Sequence, residues 1–249
     1  MRFKILVNIF LRSLFIHAAL NYPRMQNLGF CYAMMPLLKR LGMTRDEDAA
    51  FIQRHLQLFN THPYFSGAII GSVVREELQS EGRGRESVMR IKNTFMAPYA
   101  AMGDPLFGGA LKPFCSGFCV LLALMGYIFA PVVYLLLFNP LHMWIRIKTF
   151  IAGFREGNGA FQYISTLNLT RMTEIIRWLS LVAAGFLAFF LFFKCRMELH
   201  TGFAGDMVLS ASILVFILVC YFLIKAGISQ MVLLYSSTAL ILLTSWFIC

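Results

Sequence analysis

Three long runs of apolar residues occupy the C-terminal part of the chain. They cover residues 178–193, 207–224 and 226–249, and short polar loops separate them. A helix that crosses a membrane needs about 20 consecutive, mostly apolar residues. Three such runs in succession therefore predict transmembrane helices.

The composition supports a membrane protein. Hydrophobic residues make up 59% of the chain and charged residues 14%, whereas soluble domains carry about 25% charged residues. The net charge is +10, but 14 of the 22 Lys and Arg residues lie in residues 1–112. An uneven distribution of this kind is a signal of membrane topology, so we predict no nucleic-acid partner.

Residues 113–145 form a stretch with no Lys, Arg, Asp or Glu. Gly126 and Pro131 interrupt its centre, so the stretch is either one tilted span or a helical hairpin that enters and leaves on the same side. Basic residues precede it and recur in residues 139–177, and such flanks are expected to be cytoplasmic. This distribution favours the re-entrant hairpin and a cytoplasmic N-terminus.

These patterns divide the chain into a motif-bearing region on the cytoplasmic side, residues 1–112, and a membrane-embedded helical region, residues 113–249. Lys4, Asn8 and Arg12 are spaced four apart and share one helix face, which predicts an amphipathic helix in the membrane interface. The predicted fold class is all-α: a polytopic integral membrane protein with this interfacial helix, re-entrant or broken helices and about three C-terminal transmembrane helices.

Asp104 is the one acidic residue in the apolar segment 94–112. A carboxylate at the centre of a membrane costs about 2.5–3.5 kcal/mol on insertion scales, so it should face a cavity or a partner. Gly103-Asp104-Pro105 also has the signature of a helix start, with Asp104 as N-cap and Pro105 at the first helical position, after a helix that Pro98 interrupts. Asp104 is therefore either a helix cap, a functional carboxylate or both.

A second polar cluster contains Asn60, Thr61 and His62, just before Pro63 and Tyr64. An amide, a hydroxyl and an imidazole beside an aromatic ring offer the donors and acceptors that sugar hydroxyls need. The simpler alternative is a polar turn that starts a helix, because Pro63 restricts the backbone.

A third polar segment, residues 21–27, includes Asn21, Arg24, Gln26 and Asn27. Its chemistry alone predicts a solvated turn between two helices. No nucleotide-binding loop, zinc-protease motif or nucleophile elbow occurs in the chain, and the six Cys and five His have no metal-ligand spacing. We therefore predict no catalytic residue, no metal and no cofactor.

Taken together and in order, these segments resemble the IID component of the mannose/fructose/sorbose-family phosphotransferase systems. The resemblance is carried by residues 21–30 (NYPRMQNLGF), 59–64 (FNTHPY), 103–107 (GDPLF) and 109–113 (GALKP), followed by 137–139 (LFN) and 220–227 (CYFLIKAG).

The resemblance implies a transport subunit that is no enzyme on its own. Its expected partners are the IIC membrane subunit, with which it would form a higher oligomer, the IIA and IIB phosphocarriers, a sugar of the mannose/fructose/sorbose class and the lipid bilayer. It implies the bacterial cytoplasmic (inner) membrane as location. Asn60, Thr61, His62 and Asp104 are expected at the substrate pathway or subunit interface, with Asn21, Arg24, Gln26, Asn27, Gly103 and Pro105 as the structural motif.

Two alternatives stay open at this point. A non-transporting paralogue with a structural or regulatory role in the membrane is one, because residues 157–206 carry no clear family motif. An intramembrane enzyme is the weaker alternative, because Asp104 and scattered histidines provide no paired nucleophile and base.

Overall fold

The computed structural model describes residues 2–199 and scattered positions between 211 and 236. The chain divides into two units, Met1–Ala188 and Phe189–Cys249. The predicted runs 207–224 and 226–249 fall almost entirely outside the described residues.

The described residues are helical and connected by short turns, and their only strand-like features are two isolated β-bridges. The helices are α1 (Arg2–Ser13), α2 (Asn27–Leu41), α3 (Arg45–His55), α4 (Ser66–Gln79), α5 (Arg85–Gly103), a π-helical segment (Asp104–Leu111), α6 (Lys112–Leu124), α7 (Ala130–Glu156), a single 3₁₀ turn (Gly157–Gly159), α8 (Ala160–Ser165) and α9 (Leu169–Leu199).

Within the described residues, three helical stretches are long and apolar enough to cross a membrane: Arg85–Leu124, Ala130–Ser165 and Leu169–Leu191. They confirm the all-α membrane class. The third includes most of the predicted run 178–193. The first begins well before the uncharged stretch 113–145 and the second continues well beyond it, because polar residues at their ends continue the same helices.

The predicted helix break around Asp104 is wrong. The helix continues through Pro98, which lies inside α5, and through Asp104, whose φ of −62° and ψ of −46° are helical. Asp104 makes no capping hydrogen bond. Instead the backbone widens into the π-helical segment, in which the Lys112 N–H bonds to the carbonyl of Phe107, five residues back. A wider turn absorbs the missing N–H and the ring of Pro105 without ending the helix.

The uncharged stretch 113–145 is a helical hairpin. Helix α6 ends at Leu124, Gly126 takes the left-handed φ of +91°, and α7 starts at Ala130 and packs back on α6. One tilted span through the whole stretch is excluded. The tip that joins the two helices is apolar and exposed, with Ile128 exposed to 95% of its surface.

Helix α1 has the amphipathic pattern expected of it. Ile9 is buried against the core, and the Arg12 guanidinium donates to Asn8 and lies 4.6 Å from the centre of the Tyr32 ring. A separate stripe of Phe3, Val7 and Leu11 is exposed. This stripe is the surface through which α1 can contact lipid.

Helices α4 and α7 make the most extensive helix–helix contact in the unit. Gly71 lies against the carbonyl of Phe150, and Gly153 lies against the carbonyl of Ala68. A side chain at either glycine would overlap backbone atoms of the other helix. The absence of Cβ atoms therefore sets the distance between these helices.

We expect Gly153→Ala to destabilise the protein by about 1–3 kcal/mol, because the new methyl group must separate α4 from α7. Thermal unfolding in detergent measures the change. Gly185→Ala is the matched control, since no atom lies within 4 Å of the added methyl group. Equal melting temperatures for the two variants would contradict the close crossing.

A buried ionic network ties α3 to α4. Arg54 donates two hydrogen bonds of 2.8 Å to the Glu77 carboxylate and a third of 2.6 Å to the carbonyl of Gly82. His55 Nε2 lies 2.9 Å from the same carboxylate. Burial lowers the pKa of His55 to about 4. Burial raises the pKa of Glu77, but the hydrogen bonds from His55 and Arg54 outweigh it and hold that pKa below its ordinary value.

Lys92 extends this network to α5. The side chain is fully buried, and its ammonium group donates to the backbone carbonyls of Arg54 and Gln57 at 3.3 and 3.4 Å. It also lies 4.9 Å from the centre of the Phe30 ring, a favourable cation–π contact. The C-terminus of α3 is thereby fixed against both neighbouring helices.

We expect the stability of the protein to fall as the pH drops from about 6.5 to about 4. The unfolded chain protonates His55 near pH 6.5, whereas the folded protein resists protonation until about pH 4. The contribution of neutral His55 to the free energy of unfolding is thus complete above pH 6.5. Below that pH it declines by about 1.4 kcal/mol per pH unit. His55→Gln should flatten this part of the profile, measured by thermal unfolding at each pH. An unchanged slope in the variant would contradict the assignment.

Candidate functional site

Two loops are joined by backbone hydrogen bonds near the N-terminal end of α2. They are the 20s loop (residues 14–26) and the 60s loop (residues 56–65). The Gln26 N–H donates to the carbonyl of Phe59 at 2.8 Å, and the Phe59 N–H donates to the carbonyl of Arg24 at 3.3 Å. Met25 takes the left-handed φ of +55°, which turns the chain so that this pairing can form.

Asn27 and Arg24 strengthen the same junction from outside. The Asn27 amide donates to the carbonyl of Leu56 at 2.7 Å and accepts from the Asn21 amide at 2.5 Å. The Arg24 guanidinium donates to the same Leu56 carbonyl at 3.3 Å. These side chains stabilise the loops, and their contacts give no indication of a ligand.

Gln26 is buried at the centre of the junction. Its Nε2 donates to the carbonyl of Thr61 at 2.7 Å, and its Oε1 accepts from the Thr61 N–H at 3.3 Å. A third contact of 2.7 Å joins Gln26 Nε2 to Nε2 of His17. One amide thus joins both backbone groups of Thr61 to the side chain of His17, which lies on the other loop.

A cavity of about 510 Å³ opens between the two loops and the C-terminal part of α5. The residues that line it are His17, Leu20, Asn21, Tyr22, Met25, Gln26, Asn60, Thr61, His62, Pro63, Ala100 and Asp104. The lining therefore combines amides, imidazoles, a hydroxyl and one carboxylate with apolar surface.

His62 is held between aromatic and backbone surfaces. Its ring stacks on Phe107 with 5.0 Å between centroids, and the Tyr64 ring meets it edge-on at 5.1 Å. Gly103 lies directly against the ring, where a Cβ atom would overlap it. Burial, with the charges of Lys112 and Arg146, lowers the pKa of His62 to about 4, so the ring is neutral at physiological pH.

Asp104 and Asn60 expose their polar groups. Both side chains are exposed, and neither makes a hydrogen bond or ion pair with a described residue. The Thr61 hydroxyl, in contrast, is buried and donates to the carbonyl of Met96 at 2.9 Å. Asp104 and Asn60 thus offer free polar groups to the cavity, and Thr61 supports the wall.

The family is decided by comparison with known sequences. The sequence model of the phosphotransferase-system mannose/fructose/sorbose family IID component matches residues 2–249. The chain belongs to this family. That match includes residues 157–206, and nothing in the comparisons favours the non-transporting paralogue.

Individual IID components are similar over about three quarters of this chain. The sorbose-specific component of Klebsiella pneumoniae is 34% identical over 185 residues, covering 73% of this chain and 68% of that protein. The fructose permease IID component of Bacillus subtilis is 31% identical, with coverages of 73% and 67%. The mannose-specific component of Escherichia coli K12 is 31% identical, with coverages of 71% and 64%. The chain therefore spans about two thirds of the length of these relatives.

Two solved structures share the fold. One is described as the structure of a membrane protein; it is 29% identical, has a TM-score of 0.66 and covers 74% of this chain and 69% of that one. The other is from the cryo-EM structure of the mannose transporter ManYZ in complex with microcin E492. It is 22% identical with a TM-score of 0.59, and covers 95% and 93% of the two chains.

The predicted site residues of this IID component fall into two groups. Asn60, Thr61, His62 and Asp104 line one cavity, together with Asn21 and Gln26 from the predicted structural motif. Arg24, Asn27, Gly103 and Pro105 lie outside the lining. The last two shape the wall, since Gly103 makes room for His62 and Pro105 lies in the π-helical segment.

His17 is a lining residue that sequence reasoning missed. The sequence around it is apolar and resembles the end of an interfacial helix, so no local signal separates it from an ordinary surface histidine. Only the fold brings it to Gln26. Among the described residues, no group of three or more His, Cys, Asp or Glu is arranged to hold a metal ion.

We expect Gly103→Ala to displace the His62 ring from its stack on Phe107 and to cost about 1–3 kcal/mol of stability. The melting temperature and the His62 ring resonances in NMR spectra report the two effects. Gly109→Ala is the control, because the nearest atom to its added methyl group is 3.9 Å away. A His62 spectrum unchanged in Gly103→Ala would contradict the described packing.

Proposed function

We propose that this IID component works with a IIC subunit to move a mannose-type sugar across the bacterial cytoplasmic membrane. The observation that carries the proposal is the cavity between the 20s and 60s loops in a chain of this family. The cavity combines a free carboxylate at Asp104 with the free amide of Asn60. The named relatives are components for sorbose, fructose and mannose.

The chemistry of the lining suits an uncharged, polyhydroxylated ligand. Each sugar hydroxyl is both a donor and an acceptor, and amides, neutral imidazoles and a carboxylate can meet both needs. The pyranose ring also has apolar faces, which Tyr22, Leu20 and Pro63 can contact. In this proposal Asp104 accepts from a hydroxyl, and Asn60 both donates and accepts.

The membrane arrangement follows from the distribution of charge. The uncharged arms of the α6–α7 hairpin run about 20 Å from Lys112 to Leu124 and about 25 Å from Ala130 to Arg146 at 1.5 Å per residue. The helical stretches that contain these arms are long enough to cross a membrane, but each uncharged arm alone is shorter than the roughly 30 Å hydrocarbon core. We therefore place the base of the hairpin at the cytoplasmic face, with the tip inside the bilayer. The N-terminus is cytoplasmic in this topology.

Phosphorylation of the sugar belongs to other subunits in this proposal. The IIA and IIB proteins relay phosphate from phosphoenolpyruvate, and IIC and IID together form the translocation unit. His62 is no phosphate carrier here, because its ring is clamped between Phe107, Tyr64 and Gly103. Its part is to shape the wall of the cavity.

We expect phosphoenolpyruvate-dependent sugar uptake to require this chain, and Asp104→Asn to reduce uptake about tenfold or more. The reason is that a hydrogen bond to a carboxylate is worth about 1.5–3 kcal/mol. The measurement is uptake of radiolabelled sorbose, fructose and mannose by cells that express the chain with its IIC and IIAB proteins.

Glu86→Gln is the matched control, because Glu86 is exposed and its carboxylate contacts, among the residues that the structure describes, only Arg90 on the same helix. The amount of IID recovered with IIC after detergent extraction shows whether each variant still assembles. Full uptake by Asp104→Asn would overturn the role of this carboxylate. Uptake independent of the whole chain would overturn the transport function and restore the non-transporting alternative.

A further inference from the structure

The amide of Gln26 has only one possible orientation. Its oxygen faces the Thr61 N–H and its nitrogen faces the Thr61 carbonyl, at 3.3 and 2.7 Å. A flipped amide would place the Gln26 nitrogen against the Thr61 N–H, and the Gln26 oxygen against the Thr61 carbonyl oxygen. Although the oxygen and nitrogen of an amide are normally assigned from their surroundings, these two backbone groups settle the assignment.

This orientation determines the state of His17. The Gln26 nitrogen carries two hydrogens, of which one bonds to the Thr61 carbonyl and the other is directed at Nε2 of His17, 2.7 Å away. Nε2 must therefore accept, which an imidazole does only when it is neutral with its proton on Nδ1. Protonated His17 would place two N–H groups against each other.

The Nδ1–H group is then left without a partner among the described residues. His17 is an exposed side chain that lines the cavity, and only its Nε2 has a hydrogen bond. Asp104, the single carboxylate of the lining, accepts hydrogen bonds and cannot donate when ionised. The cavity therefore contains a donor, the Nδ1–H of His17 on the 20s loop, and an acceptor, the carboxylate of Asp104 on the long helix.

We propose that Gln26 fixes His17 as the neutral Nδ1–H tautomer, so that the imidazole donates a hydrogen bond to a hydroxyl oxygen of the ligand in this cavity. That the ligand is a sugar rests on the proposed function. The assignment of the His17 tautomer is independent of it. Gln26 acts as a positioning residue, and His17 is the binding residue.

The charges around the ring favour the same state. Burial lowers the pKa of His17, and the positive charges of Arg146 and Lys112 lower it further. His62 lines the same cavity and is neutral, and Asp104 is the one acidic group of the lining. Binding through His17 should thus be intact at neutral pH and weaken in acid, when the ring becomes protonated and loses its hydrogen bond with Gln26.

NMR spectroscopy of the protein labelled with ¹⁵N-histidine, in complex with IIC in nanodiscs, tests the tautomer directly. The His17→Asn spectrum assigns the His17 signals by difference. At pH 7.5 we expect Nδ1 in the protonated range and Nε2 in the unprotonated range of ¹⁵N shifts. Gln26→Glu should raise the pKa of His17, because a carboxylate accepts from Nε2. A proton on Nε2 in the unaltered protein would overturn the proposal, whether or not the chain transports sugar.

A pair of variants tests the donor in the cavity. The amide nitrogen of Asn lies near the position of Nδ1 in histidine, whereas that of Gln lies near the position of Nε2. We expect His17→Gln to weaken sugar binding about five- to tenfold, the effect of losing one neutral hydrogen bond, and His17→Asn to weaken it less. Calorimetric titration of the purified complex with mannose, fructose and sorbose measures both.

Equal affinities for His17→Asn, His17→Gln and the unaltered protein would show that His17 donates no hydrogen bond to the ligand. If no sugar binds to the unaltered complex, the proposed function fails, and the ¹⁵N spectrum still decides the tautomer. The two failures are thereby distinguishable.

Discussion

The arrangement of the candidate site depends on the hydrogen bonds of one buried amide. Gln26 closes a ring with both backbone groups of Thr61 and reaches His17 with its remaining hydrogen. Buried amides are stable only when their donors and acceptors are met. These hydrogen bonds therefore fix the position of the two loops relative to each other. That relative position determines the shape of the cavity between them.

The ionic network behind the loops supports this relative position from the other side. Arg54, Glu77 and Lys92 fix the end of α3, from which the 60s loop departs. Burying charges is expensive unless each is paired and hydrogen-bonded. Arg54 and Glu77 meet that condition as a bidentate pair, and the Lys92 ammonium, which has no carboxylate partner among the described residues, is held by two backbone carbonyls. A site on loops thus acquires the rigidity that binding of small polar ligands requires.

Local sequence patterns could predict the membrane class, the hairpin at Gly126 and the polar residues of the cavity, since hydropathy and hydrogen-bonding chemistry are local properties. They could not show that Asn60 and Asp104 share one cavity, because that needs the packing of distant segments. The same patterns misjudged Asp104, because the rule for Asp-Pro considers only a capped helix start and ignores a wider helical turn. They also missed Arg54 and Glu77, whose neighbours are polar and resemble a solvated surface.

The π-helical segment has a consequence for the phase of the helix that carries Asp104. A π turn accommodates one more residue than an α turn, and each residue of an α-helix advances the side chains by about 100°. Helix α6 therefore presents a different face to α7 than an uninterrupted α-helix from Arg85 would. Removing one residue between Asp104 and Leu111 would restore regular winding and turn the face that carries the buried Cys115 and Cys119 by about 100°. The widened turn has the same effect as inserting one residue into an α-helix. One continuous helix can therefore have its apolar stripe on different sides before and after this segment.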